Sequence, residues 1–380
     1  MNAKPLLWAL AFSFSTVSFA APVIAPAPPL DNTAYLIMDF DSGRVLAQSN
    51  AEQALPPASL TKMMTSYLVE KALKEGRLKL TDQVLVSENA WCRGTNAESC
   101  MYLPVHGSAS VIDILRGIII QSGNDASKAI AEHMAGSEAS FAALMNTEAQ
   151  RLGMKNTRFM NATGLPDPAH RASAHDLALL ARAIIRDSAD YYKIYAEKEF
   201  TYNGIKQGNR NALLYTDPTV DGLKTGHTGE AGFCLTASSK RGDMRLISVI
   251  MGAKSMQARA DQTRALFNWA FGSFEDVRPL ATGVSLKTAQ VRVGKVDVVN
   301  VGLNSAFVAT IPRGQAASLH TDIQLNPNIT APIAKGAVLG KVLITLDGQA
   351  FGEQNLVALE PVEQSGFFMR LWQRLTYLFK

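Results

Sequence analysis

The stretch Pro56-Pro57-Ala58-Ser59-Leu60-Thr61-Lys62-Met63-Met64-Thr65-Ser66-Tyr67-Leu68-Val69-Glu70 decides how this chain is read. Two prolines bar a helix from running backwards, because the ring fixes φ and restricts the residue before it. Downstream, Leu60, Met63, Met64, Tyr67 and Leu68 recur at three- and four-residue spacing, which predicts a helix starting near Ser59 with one apolar face. The Ser59 hydroxyl and the Lys62 amine then stand one above the other, close enough for proton transfer. A helix start also leaves backbone N–H groups unpaired beside Ser59, the raw material of an oxyanion site. Taken alone the quartet says little, since an N-cap serine with a solvated lysine has the same letters.

Two later stretches change that. Ser122-Gly123-Asn124 follows the apolar run from Val111 to Gln121, and Lys224-Thr225-Gly226 follows Val220-Asp221-Gly222-Leu223. Ser-x-x-Lys, Ser-x-Asn and Lys-Thr-Gly in that order come close to the signature of penicillin-binding proteins and class A β-lactamases.

The rest of the chain supplies the frame. Its 380 residues, 47% hydrophobic and 18% charged, suffice for two domains, and a net charge of +4 is too small to argue for nucleic-acid binding. Lys4, the apolar run from Leu6 to Phe19 and the small-x-small exit Ser18-Phe19-Ala20 predict a cleaved signal peptide over 1–20, since the run is short for a membrane span. Residues 21–32, rich in proline, read as an extended linker. Ala34 to Phe40 and Arg44 to Ala47 around Asp41-Ser42-Gly43 read as a hairpin, and with the Ser59 helix they predict an α/β core. Val111 to Ile120, Asp125 to Met134, Ala139 to Leu152 and His175 to Arg186 read as helices, stopped by glycines or begun at Ser173. Ser122 and Asn124 thus fall on a short connection between helices. Ala231 to Ser239 and Arg245 to Gly252 read as paired strands, and Met256 to Phe271 as a closing helix.

From Pro279 the pattern alternates, with valines from Val291 to Val301 broken by Gly and Asn-Pro turns, so residues 280–361 read as a β-rich second domain. Residues 362–380 place Phe367, Phe368, Leu371, Trp372, Leu375, Leu378 and Phe379 on one helical face and Arg370, Gln373, Arg374 and Lys380 away from it. That pattern suits a helix lying in a membrane interface. Cys92 and Cys100, with seven residues between them in an exported chain, are expected to pair, unless both stay as free thiols. Cys234 reads as a small buried hydrophobe. The six histidines lack metal-ligand spacing; His170 and His175, with Asp167 and Asp176 near, read as a loop coincidence. No cofactor is expected.

With its flanks Gln121-Ser122-Gly123-Asn124-Asp125-Ala126 and Val220-Asp221-Gly222-Leu223-Lys224-Thr225-Gly226-His227-Thr228-Gly229, the chain resembles low-molecular-mass penicillin-binding proteins of the D-alanyl-D-alanine carboxypeptidase type. The resemblance implies a serine β-lactamase/DD-peptidase-like domain over 33–279: an antiparallel sheet flanked by helices, plus a helical subdomain. The smaller β-rich domain and the amphipathic helix follow it. The implied substrate is the peptidoglycan stem pentapeptide, with β-lactams as covalent inhibitors, at the periplasmic side of the inner membrane. The chemistry assigns Ser59 as nucleophile and Lys62 as its base, provided burial and a neighbouring cation such as Lys224 lower its pKa. Ser122 is expected to relay a proton and Asn124 to hold the peptide amide. Lys224, Thr225, Gly226 and Arg210 are expected around the terminal carboxylate. By resemblance, the oxyanion donors are the backbone N–H groups of Ser59 and His227. Arg210 lies one residue short of the family's spacing.

A class A β-lactamase is the contrasting enzyme. It needs a glutamate for deacylation, and none lies between Arg158 and Arg171; position 123 is glycine where those enzymes have aspartate. The same three motifs also fit a DD-endopeptidase, or a protein that binds penicillin or peptidoglycan without catalysis.

Overall fold

The expected hairpin forms, with strands Ala34–Asp39 and Val45–Ser49 paired antiparallel. The first of these also pairs with Met244–Ala253, joining three late strands to the start of the chain. In this computed structural model, which describes residues 24–93 and 98–367, the resulting five-stranded antiparallel sheet runs Val45–Ser49, Ala34–Asp39, Met244–Ala253, Gly232–Arg241, Val220–Thr228. The expected signal peptide and the expected tail helix beyond residue 367 lie outside the described residues.

Strand alternation sends successive side chains to opposite faces and so builds two cores. Leu36, Cys234, Ile247 and Val249 join the helices on one side. Ile37, Leu235, Leu246 and Ile250 pack under the helix Met256–Ser273 on the other, with Phe267 and Ala270. Cys234 is fully buried, as its apolar neighbours suggest, and burial pushes its thiol up to about 11.

A helical subdomain fills the gap in sequence between the two halves of the sheet. Its centre is the helix Lys62–Lys74, entered through a 3₁₀ turn over Ala58–Thr61. Met63, Met64 and Val69 of that helix are wholly buried, and each large apolar side chain contributes roughly 1.5–3 kcal/mol. Around it pack Asn124–Ala135, Glu138–Arg151 and Ala174–Asp187, the last capped by Ser173 Oγ accepting from Asp176 N at 3.1 Å. Glu70, on the far end of the central helix, is also buried. Burial raises its pKa to about 8, and Tyr195 donates to it at 3.0 Å.

Four details depart from the expectations. Residues 24–32 are no free linker: Trp269 Nε1 donates to Ala25 O at 2.8 Å, and Gln262 Nε2 to Asp31 O at 2.9 Å. A hairpin, Glu199–Tyr202 with Ile205–Gly208, occupies a stretch whose periodicity predicts no element, turning on Asn203 and Gly204, both at positive φ. Phe274–Val277, placed by its sequence in the catalytic domain, pairs with Ala309–Pro312 of the second. Val362 bridges to Ile333 and Gln364 to Gly294, so residues 362–364 belong to the β-rich domain and not to a terminal helix; Val362 is buried in its core.

The second domain is β-rich as expected. Its five-stranded antiparallel sheet runs Lys287–Gln290, Val298–Gly302, Gln349–Ala358, Val338–Leu346, Leu319–Leu325. It meets the first domain through Ser42 and Thr310 hydroxyls 2.7 Å apart, Arg44 donating to Thr310 O at 2.6 Å, and an Arg278–Asp41 ion pair. Among the described residues, no helix is long and apolar enough to cross a membrane.

Candidate active site

Ala58, just before the expected nucleophile, has φ +47°, a region that favours glycine and costs of order 1 kcal/mol or more for a side chain. The surroundings hold it there. Gly164, itself at φ +82°, lies so close that a Cβ on it would come within 1.9 Å of Ala58 O. From the other side Gly226 approaches Pro57 O and Leu60 N, and a Cβ there would stand 3.1 and 3.2 Å from them. Thr61 is pinned as well. Met160 N donates to His170 Nδ1 at 3.3 Å, so Nε2 carries the hydrogen and donates to Thr61 Oγ1 at 2.8 Å. Burial holds that imidazole down at about 4, hence neutral. His170 is therefore a structural pin, apart from His175, which pairs with Glu52.

The turn so clamped sets Ser59 at the wall of a cleft of about 580 Å³, and Ser122, Asn124, Arg210, Thr225, Gly226 and His227 line the same cleft. Lys62 and Lys224 are buried behind its surface. Lys62 Nζ lies 3.1 Å from Ser59 Oγ, 2.6 Å from Asn124 Oδ1 and 2.6 Å from Thr163 O. Lys224 Nζ donates to its neighbour Thr225 O at 3.1 Å. Ser122 ends the apolar helical run in a left-handed conformation, φ +66°, and its buried hydroxyl has no hydrogen-bond partner among the described residues. His227 stacks on Phe233 at 4.0 Å between ring centres, and both line the cleft. Val220–Thr228 is an edge strand, so part of its backbone is free to pair with an extended ligand.

The electrostatics are those of crowded, buried cations. Burial, and next the Arg210 guanidinium, bring Lys62 down to about 7, against the upward pull of Asp125, Glu98 and Glu138. Lys62 and Lys224 repel one another, as the sequence leads one to expect, and Arg210 adds to the pressure on both. Lys224 falls well below its ordinary value through burial, then through Lys62, Arg210 and Arg259. No carboxylate pairs with Arg210 among the described residues.

Several lining residues carry no motif. Arg259, inside the closing helix, is buried and donates to Gly226 O at 3.1 Å, tying that helix to the Lys-Thr-Gly strand. Thr163, Gly164, Leu165 and Pro166 form one wall. Glu98 forms part of another, and its Oε2 accepts from Asn124 Nδ2 at 2.9 Å. Cys92 and Cys100 are joined, closing the loop that carries Glu98. A periodicity search sees none of these, because they come from loops or sit singly on helices. The glycine at 123 has a local reason: Met101 packs against it, and a Cβ would stand 3.1 Å from Met101 Cβ and 2.8 Å from Asp125 Oδ1. Among the described residues, no three His, Cys, Asp or Glu side chains gather as a metal would need.

A serine at a clamped helix start, facing a buried lysine of lowered pKa, defines the active-site serine enzymes of the Ser-x-x-Lys kind. Residues 21–255 match the family model described as D-alanyl-D-alanine carboxypeptidase, and residues 274–364 match that of the penicillin-binding protein 5 C-terminal domain. The chain belongs to the D-alanyl-D-alanine carboxypeptidase family. It is 45% identical over 369 residues to D-alanyl-D-alanine carboxypeptidase DacC of Escherichia coli K12, covering 96% of this chain and 92% of that one. Penicillin-binding protein 5 from Haemophilus influenzae superposes with a TM-score of 0.85 at 42% identity, over 90% of this chain and 100% of that one. Penicillin-binding protein D2 from Listeria monocytogenes in its cefotaxime-bound form gives 0.60 at 28% identity, over 65% of this chain and 100% of that one.

Proposed function

We propose that the protein removes the terminal D-alanine from peptidoglycan stem pentapeptides through an acyl-enzyme on Ser59. The observation that carries this reading is the Lys62 amine, fully buried, held at about 7 and 3.1 Å from the Ser59 hydroxyl. At neutral pH a large share of it is free base, which an exposed lysine never is. Ser59 Oγ forms a bond to the carbonyl carbon of the penultimate D-alanine as its proton passes to Lys62 Nζ. Collapse of the tetrahedral adduct breaks the C–N bond, and a proton delivered by way of Ser122 lets D-alanine leave as the amine. Water then cleaves the ester and restores the serine.

Ser122 suits the relay because its buried hydroxyl lines the cleft beside Ser59 and has no hydrogen-bond partner among the described residues. Asn124 holds Lys62 and the peptide amide. Lys224, Thr225 and Arg210 receive the terminal carboxylate, with Gly226 letting the strand approach the nucleophile, and the Ser59 and His227 backbone N–H groups face the oxyanion. Penicillin, whose carboxylate and amide imitate that end, acylates the same serine. Its ester is expected to be long-lived, since no carboxylate between residues 158 and 171 faces Ser59: Asp167 caps its own loop, accepting from Ala169 N at 2.7 Å.

Export through residues 1–20 puts the enzyme on the periplasmic side of the inner membrane, and the amphipathic segment beyond residue 366 holds it there. Relatives from bacteria that are named D-alanyl-D-alanine carboxypeptidase support a compartment where peptidoglycan stem peptides are within reach. Removing residues 367–380, and so sparing the bridges at Val362 and Gln364, is expected to release the protein from membranes; a truncated form that still sediments with them refutes the anchor.

Mass spectrometry of products from a pentapeptide and from penicillin, with parent and Ser59→Ala side by side, tests the chemistry. The parent is expected to release one D-alanine and to gain a stable penicilloyl mass, and the variant to do neither while melting normally. Rapid penicillin turnover by the parent would favour a β-lactamase, and cleavage of cross-linked muropeptides an endopeptidase.

A further inference from the structure

We infer that Glu98 is a positioning residue for acyl transfer: its carboxylate holds the Asn124 amide so that the carbonyl end, and not the NH₂ end, faces the Lys62 amine. This rests on the reading of Ser59 and Lys62 given above.

The hydrogen-bond count at Lys62 carries the inference. A neutral amine has two N–H donors and one lone pair. Asn124 Oδ1 and Thr163 O, both at 2.6 Å, take the two donors, which leaves the lone pair for the Ser59 O–H at 3.1 Å. That is the arrangement a base needs. It holds only while Asn124 presents oxygen. The two ends of a carboxamide have the same shape, so shape alone does not choose between them. Turned over, Asn124 would offer N–H to the lysine, and the lone pair would turn to it and away from the serine.

Thr163 O is backbone and cannot turn. Asn124 can, and Glu98 is what prevents it. Its Oε2 accepts from Asn124 Nδ2 at 2.9 Å, and a carboxylate can only accept. Lys128, one turn along the helix from Asn124, pairs with that same oxygen at 3.6 Å.

The loop is built to deliver this group. Cys92 and Cys100 close it, and its end is stitched to the Ser-Gly-Asn turn. Asn124 N donates to Ser99 O at 2.7 Å, Ser99 Oγ to Gln121 O at 3.0 Å, and Met101 and Leu103 N–H groups to the Asp125 carboxylate at 2.8 and 3.0 Å. Glu98 also acts at a distance. Its negative charge raises Lys62, alongside Asp125 and Glu138, while Arg210 lowers it; Lys224, itself lowered by Lys62, is the buried amine nearby.

The test uses full-length enzyme, with Glu98→Ala and Glu98→Gln. The readouts are kcat and KM for D-alanine release, and the rate of acylation by a fluorescent penicillin, from pH 5 to 9. Glu98→Ala removes the lock and is expected to lower the plateau of kcat/KM about tenfold, mainly in kcat. Glu98→Gln can still accept from Asn124 through its own carbonyl, so its plateau should stay within about threefold of the parent. With the negative charge gone Lys62 deprotonates sooner, and the acid limb of the Gln variant should move to lower pH by roughly half a unit.

Profiles of both variants that superimpose on the parent's would overturn the assignment. So would unchanged acylation with a prolonged acyl-enzyme, which would make Glu98 a deacylation base. Melting curves identify a misfolded Ala variant, in which case the limb shift of the Gln variant decides. A parent that releases no D-alanine defeats the functional reading instead, and the penicillin rates still report on Glu98.

Discussion

Among the described residues, like charges crowd together in the cleft, where the groups are cations, and at the junction between domains, where they are acids. In the cleft, Lys62 and Lys224 share their surroundings with Arg210 and Arg259, and burial lowers both lysines. At the junction Asp276 sits beside buried Asp39, and burial, then Asp39, raises it to about 7. The same physics therefore discards charge of either sign near neutral pH. What differs is what the neutral group is left facing. Lys62 faces two carbonyl oxygens and a hydroxyl, so losing its proton creates a base. The Asp276 carboxyl accepts from the Thr310 hydroxyl at 2.8 Å and has nothing to transform, so its proton serves only to hold two domains together.

The largest expected effect comes from removing the neutral amine. Lys62→Ala should lower the penicillin acylation rate by about 10³-fold, within the range for loss of a general base, and stopped-flow fluorescence measures it. A variant that acylates at the parent's rate would mean that Lys224 or another group is the base, and that the two clusters do not differ in the way described.

Arg210→Ala should come next. Losing a charge-assisted contact to the terminal carboxylate should cost roughly tenfold or more in kcat/KM, chiefly through KM. Because Arg210 lowers Lys62, its removal should also move the acid limb of the rate profile to higher pH, opposite to Glu98→Gln. An unmoved limb would break the electrostatic half of the comparison.

The smallest effect belongs to the junction. The folded pKa of Asp276 lies above its unfolded value of about 3.8, so the folded state keeps a proton that the unfolded chain has lost. Its stabilising contribution is complete below about pH 4 and is lost as pH rises to about 7. Asp276→Asn cannot ionise, so its melting temperature should gain on the parent's across that window. Its carboxypeptidase rate should be unchanged. Parallel melting curves from pH 4 to 8 would refute the pairing of Asp276 with Asp39.

The sequence makes the chemistry legible and leaves its supports hidden. Ser59, Lys62, Ser122, Asn124 and Lys224 are readable because a fixed spacing on a helix start, a helix connection and a strand brings the right groups to short motifs. The major helices and the β-rich second half are readable from period. The hairpin turning on Asn203 and Gly204 is signalled by a dipeptide that favours two-residue turns, but its short flanking strands carry too little alternation to declare themselves. Glu98, Arg259 and the Thr163–Gly164 wall are different in kind. Each acts through a few long-range contacts, such as Arg259 on Gly226 O, and scattered contacts leave no periodic trace. The strain at Ala58 is equally silent, since alanine at positive φ is imposed by Gly164, far along the chain.

That imposed backbone has a consequence for how the protein acquires activity. The nucleophile's turn takes its shape from Gly164 on one flank and Gly226 on the other, so it has no competent form in a nascent chain that lacks either. Contacts of such high sequence separation close late during folding. Reactivity toward penicillin should therefore emerge with the complete first domain, after helix content has been gained, and fragments ending before residue 220 should be inert however well their helices form.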